Sequence, residues 1–176
     1  METLEPLLIN NEDCAPYTDF PENIRQARLD SHIRRAQRRL KPLLGEQLYA
    51  ELLRRKAAND LPEPWLELYS KAIPALAHAT LAQYWPFSQT TVTGNSLVHK
   101  TSQYSEPIDA RTLATQASIF DGEALSYEVE LRTWLIAHAS SFTGFYPDAS
   151  YCGHQLAPAR TATVVVQAIS RPAYRN

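Results

Sequence analysis

Five histidines, His32, His78, His99, His138 and His154, are the side chains of this sequence best suited to hold a metal or to carry a proton. Two ligands on one helix face need an i, i+4 spacing, as in HExxH, and no two of these histidines have it. Each is therefore expected to be a structural residue. The two cysteines, Cys14 and Cys152, lie near opposite ends and neither belongs to a CxxC pair, so neither a zinc site nor a disulfide framework is expected. They fit reduced thiols in a reducing compartment. Cys152 stands two residues from His154, a separation at which side chains do not face each other, so no nucleophile–base dyad follows from it. No GxSxG, GxxxxGK[ST] or GxGxxG is present, and five glycines are few for a phosphate cradle. The acid pair Glu12/Asp13 falls in an irregular stretch, where solvated carboxylates are the ordinary outcome. These absences predict a non-enzymatic protein with no metal and no cofactor.

One charged cluster stands out. Arg25, Arg28, Arg34, Arg35, Arg38, Arg39 and Lys41 crowd into residues 25–41. On a helix after Asp30, Arg34, Arg38 and Lys41 share one strip, and Arg35 and Arg39 share the next. Such a face is either solvated or an interface, with an acidic protein surface or with DNA phosphates as the partner. The whole chain argues against a dedicated nucleic-acid binder, because 17 basic and 19 acidic residues leave a formal charge of −2. Apolar residues make up 44% of the 176, too many for a disordered chain and enough for one domain with extensions.

The elements that must position these residues are mostly helical. Residues 1–21 form an expected N-terminal arm, punctuated by Asn10, Asn11, Asp13, Pro16, Asp19 and Pro21 too often for a regular element. Its apolar Leu7, Leu8, Ile9, Tyr17 and Phe20 must lie against the protein's own core or a neighbour. A first helix is predicted by Asp30 or Ser31, either of which can cap it, with an earlier start as far back as Glu22 left open, and with Ile33, Ala36, Gln37 and Leu40 on one face. Pro42 and Gly45 break that pattern, since a residue before proline is pushed from helical angles and glycine suits a left-handed cap. A second helix follows over about 46–58 with Leu48, Tyr49, Leu52 and Leu53 inward, making KPLLG the corner of an αα-hairpin.

A third helix is predicted over 63–85, wide-faced and central, with Trp65, Tyr69, Ala72, Leu76 and Thr80 in one stripe and Leu66, Ile73, Ala77, Leu81 and Tyr84 in the next. Pro74 predicts a kink, or two helices meeting at Ile73. The connection 86–110 is long enough to hold structure of its own, and Thr90–Thr93 and Ser96–His99 around Gly94-Asn95 allow a short β-hairpin. The fourth helix, over 110–139, carries the clearest periodicity. Leu113, Ala117, Phe120, Ala124, Tyr127, Leu131, Trp134 and His138 alternate steps of four and three, the seam of a helical bundle. Gly122 inside it predicts a close helix crossing. After Ser140 the glycines and prolines end helical pattern, and TATVVVQAI at 161–169 fits one strand, including Val164, Val165 and Val166. With no obvious partner strand in the chain, its edges invite pairing with another chain.

The N-terminus METLEPLLINNED lacks a basic n-region and no stretch approaches the ~20 apolar residues of a membrane span, so a soluble protein made in the cytoplasm is expected, with no membrane partner. The fold class expected is all-α: about four helices, with extended N- and C-terminal arms, the possible hairpin and the C-terminal strand.

Several of these segments together resemble a known family. LDSHIRRAQRRLKPLLGEQLYAELL (29–53) is similar to the opening helices of head–tail connector, or adaptor, proteins of tailed bacteriophages, which carry an I..AQ…LKPLLG..LY..L pattern. KAIPALAHATLAQYWPF (71–87) looks like that family's proline-containing central helix. GNSLVHKTSQYSEPIDA (94–110) is similar to its glycine-led loop and SEP turn, and the helix near 120–139 ends, as there, at a Phe-Tyr-Pro. The match spans residues 22–147, a connector-like domain between the arm 1–21 and a C-terminal arm 148–176 that goes beyond the family pattern. The resemblance implies a virion protein of the neck, the head–tail junction: a homo-oligomeric ring of about twelve copies, docked on a portal protein and receiving tail or neck proteins. DNA would pass through its lumen without sequence-specific binding. No catalytic residue comes with the resemblance. Interface residues expected on this reading are Arg34, Arg35, Arg38 and Arg39 on the basic helix and Val164, Val165 and Val166 on the strand. The alternative expectation is a DNA-binding or packaging accessory protein that uses the 25–41 segment.

Overall fold

A computed structural model describes residues 5–17, 24–92, 97–99 and 108–145. The chain forms α1 (Asn11–Cys14), α2 (Gln26–Leu44), α3 (Glu46–Ala57), α4 (Trp65–Tyr84), β1 (Thr90–Val92), β2 (Leu97–His99) and α5 (Ala110–Ala137), with single 3-10 turns at Trp85–Phe87 and Ala139–Ser141. The two strands pair antiparallel over three residues each, Thr90 opposite His99 and Val92 opposite Leu97. The class is all-α. The strand expected at 161–169 and the C-terminal arm 148–176 lie outside the described residues.

α4 is the centre. It packs chiefly against α5 and then α2, while α3 lies on α2. From Pro74 to Leu81 every residue of α4 is buried. Alanines at 75, 77 and 79 give it little side-chain bulk, so neighbours can approach on several sides. Pro74 does not divide it: instead of two helices meeting at Ile73, one helix runs through. Proline removes the bond to the Ser70 carbonyl, and burial on both sides of the site holds the helix across the gap. Leu66, expected inward, is 49% exposed, because the apolar face narrows in the first turn of α4.

α2 settles the open question of its start and departs from expectation at its C-terminal end. It begins at Gln26, before the predicted Asp30 or Ser31 cap, and Asp30 sits inside it accepting a hydrogen bond from Gln26 Nε2 at 3.0 Å. It also continues through Pro42 to Leu44 rather than breaking in KPLL. Leu40 and Leu44 are one turn apart and both buried, so a break at Lys41 would lift Leu44 out of the core. Gly45 makes the corner alone. At φ +81° it adopts a conformation that a side chain strains, and its N–H closes on the Lys41 carbonyl at 2.8 Å while its own carbonyl accepts from Tyr49 at 3.0 Å.

The N-terminal stretch is a further correction. Its sequence reads as an irregular arm whose apolar residues lie against the protein's own core or a neighbour. Among the described residues 5–17 it folds onto the protein's own body. Leu8, Ile9 and Cys14 are fully buried with the core leucines of α2, α3 and α4. The polar residues expected to forbid regular structure make a helical turn instead, because Asn10 accepts from Asp13 N–H at 2.9 Å and Asp13 accepts from Asn10 N–H at 3.0 Å. Gln37 anchors the stretch from beneath. Its Oε1 accepts from Leu8 N–H at 2.8 Å, and its Nε2 donates to the Pro6 carbonyl at 3.0 Å and to Tyr49 Oη at 3.3 Å. Tyr69 Oη donates to the Leu8 carbonyl at 3.0 Å.

Candidate assembly interface

α5 has two apolar faces. The inward one is the predicted seam: Leu113, Ala124, Leu131 and Leu135 are buried, with Phe120, Tyr127, Trp134 and His138 half-buried beside them. The outward one was not foreseen. Leu125, Val129 and Ile136 are 56, 60 and 50% exposed, and their spacings of four and seven put them on one strip nearly opposite the seam. Gly122 lies on the same strip, three residues before Leu125. A methyl group added to it would meet nothing within 4 Å, so among the described residues Gly122 does not mark the close helix crossing expected of it.

The basic segment is largely consumed within the molecule. Arg28 donates to the carbonyls of Phe87 at 2.9 Å and of Thr90, and lies over the Tyr84 ring. Arg34 Nε donates to the Glu5 carbonyl at 3.1 Å. Lys41 stands 3.5 Å from the Glu5 carboxylate and over the Tyr49 ring. Arg39 bridges α2 to α5, with Nε 2.7 Å from Glu128 and Nη1 paired with Asp121. Burial raises the Glu128 carboxyl above its ordinary range although Arg39 pulls the other way. The four predicted interface arginines therefore divide. Arg34 and Arg39 hold the fold, whereas Arg35 and Arg38 are exposed on the outer face of α2, as is Arg25 at its start. Val164, Val165 and Val166 lie outside the described residues.

The histidines serve packing. His78 is buried in α4. Its Nδ1 donates to the Pro74 carbonyl at 2.8 Å, its Nε2 lies 3.1 Å from Glu123 of α5, and its ring lies against Tyr127. His138 stacks on Trp134 and donates to its carbonyl at 2.9 Å. His32 sits between Tyr84 and Phe87, where burial, then Arg35 and Arg28, hold its proton affinity below the usual histidine value. Only the backbone of His99 is described, and His154 lies outside the described residues. Among the described residues no three of His, Cys, Asp and Glu converge as metal ligands would. Burial, then Asp13, pushes the Cys14 thiol up to about 12, which suits a core residue rather than a nucleophile.

Residues 40–155, more than half of the chain, match the model of a family of unknown function, DUF6712. The chain belongs to that family. No curated protein and no solved structure matches it. The match begins inside α2 at Leu40, so the Gly45 corner, α3, α4 and α5 fall within the matched span, while the N-terminal stretch and most of the basic segment precede it.

The heptad reading hid the outward strip because it assigned the apolar residues of α5 to a single seam. A usable signal was present: Leu125, Val129 and Ile136 fall between seam positions at helical spacing. The Arg39 bridge carried a fainter one, since Glu128 follows Tyr127 at the edge of the seam, where an acid needs a cation.

Proposed function

We propose that this chain is a structural subunit of a tailed-bacteriophage virion, forming a homo-oligomeric ring at the head–tail junction between portal and tail. The observation that carries the reading is the outward face of α5, where three large apolar residues are half or more exposed among the described residues, as a surface that meets another protein would be. The resemblance over residues 22–147 supplies the kind of assembly. Function here is geometric. α4 and α5 make a stiff body, and the ring holds such bodies around a lumen through which DNA passes. Arg35 and Arg38, with Arg25 at the start of α2, are the exposed basic residues of this segment that would meet an acidic neighbour. On this reading Val164, Val165 and Val166 add a strand to a neighbouring subunit.

The test is the mass of the protein in solution, alone and with a portal ring, followed by electron microscopy of any particle. A ring that binds portal is expected, and deleting 158–176 is expected to abolish it while leaving helical content unchanged. A protein that forms no ring with or without portal sinks the reading. The rival role in DNA binding or packaging is weakened by the internal use of Arg28, Arg34, Arg39 and Lys41. Tight gel-shift binding with steep salt dependence would restore it.

A further inference from the structure

The outer strip of α5 and the C-terminal segment 158–176 match in length, hydropathy and charge. From Gly122 to Ile136 the strip is about 21 Å long. In TATVVVQAI an extended chain puts Ala162, Val164, Val166 and Ala168 on one side, spaced over about 20 Å. Leu125, Val129 and Ile136 stand out from the strip, and at Gly122 the helix surface is bare enough for another backbone to lie close. The charges are opposite. α5 carries four acidic side chains against two arginines, and its Glu130 is exposed with no ion-pair partner among the described residues. Segment 158–176 carries Arg160, Arg171 and Arg175 and no acid, so an arginine flanks the apolar run on each side. Such a segment is drawn to α5 rather than to the outer face of α2, where Arg35 and Arg38 would repel it.

We infer that the outer strip of α5 is the seat of the C-terminal segment of a neighbouring copy, with residues 161–169 lying extended along it. The inference rests on the ring reading and names what fills the face on which that reading stands. A ring needs two different surfaces on each subunit, one giving and one receiving, and the segment and the strip are such a pair. Cover by a copy's own segment would use up both surfaces and leave nothing to join the next subunit. Reach allows the crossing. The described chain ends at Phe145, whose ring lies 5.9 Å from the Arg132 guanidinium. Arg132 stands three residues from Val129 and four from Ile136, so the segment sets out from the rim of the strip. Fifteen residues, 146–160, separate Phe145 from Thr161. Extended, they span about 50 Å, more than the width of a body of this size.

Disulfide trapping in the full chain tests it. Val129 lies midway along the strip and Val164 close to the middle of the segment. In a Cys152→Ser background, Val129→Cys and Val164→Cys proteins are mixed in equal amounts, assembled and mildly oxidised. A disulfide between the two chains is expected in assembled particles and not in dilute subunits. Particles that form without it overturn the inference and leave the ring reading standing. A doubly substituted chain that closes the bond within itself, with none in the mixture, shows cover by the same copy and overturns the inference too. If no particle forms, the ring reading fails and this inference with it. Charge gives a second measure. Val129→Arg repels the basic segment and Val164→Asp the acidic helix, so each should weaken assembly by about tenfold or more. Val129→Arg should leave the helical spectrum unchanged, because the site is exposed. Combined, the two substitutions set an arginine against an aspartate and should regain part of the loss. A double variant that shows the full product of the two losses places them in separate contacts and overturns the seating.

Discussion

Gln37 illustrates how far a single residue can be read. Its place on the buried face of α2 follows from spacing alone, and it is fully buried. What it does there does not follow, because its partners at Pro6, Leu8 and Tyr49 come from segments far away in sequence. Replacing it by leucine leaves the Leu8 N–H without an acceptor in the core and should cost about 2–3 kcal/mol, read from urea denaturation. His32 yields a pH prediction at the same scale. Its folded-state pKa lies below the ordinary 6.5, so the unfolded chain binds the proton more readily. This group's contribution is thus complete above that value and is lost as pH falls through it toward the folded-state pKa. Relative to His32→Phe, the wild type should lose stability as pH falls from neutral through the ordinary histidine value, and parallel pH curves for the two proteins would contradict the cause given.

Among the elements, legibility followed periodicity. The helices at 46–57, 65–84 and 110–137 stand close to their predicted bounds, because long apolar stripes survive small errors of phase. Local signals misled where tertiary burial outweighed them. Pro42 and Asp30 both advertise a helix end, yet both lie inside α2, held there by Leu29, Ile33, Leu40 and Leu44. The two helix-associated glycines separate these influences. Gly45→Ala puts a side chain at φ +81° and should destabilise by about 1–2 kcal/mol. Gly122→Ala adds a methyl into open space on a helix and should raise the stability of the monomer by about 0.5–1 kcal/mol. Thermal unfolding of the two variants at low protein concentration should move in opposite directions.

For the whole molecule, the class and the bundle were legible, and the allocation of the chain's N-terminal part was not. Composition cannot distinguish an apolar stretch that waits for a neighbour from one that seals its own core. Leu8, Ile9 and Cys14 do the second. Removing residues 1–9 should therefore cost several kcal/mol and expose dye-binding apolar surface, as the loss of two large core side chains would. Loss of assembly with unchanged stability would have been the outcome for a free arm. The outward strip of α5 left a trace in its spacing, but only the packed bundle reveals which of the two apolar faces stays exposed among the described residues.

The seating of the N-terminal stretch also sets an order of events. The Leu8 carbonyl is tied to Tyr69, 61 residues further along, so during synthesis this segment leaves the ribosome well before the helix that secures it exists. Until α4 is made, Leu8 and Ile9 have no finished groove to enter. The closing of that long loop belongs to the late part of folding, where entropy delays contacts between distant positions. Nascent chains halted before Tyr69 should leave this segment open to protease, and chains halted beyond α5 should protect it.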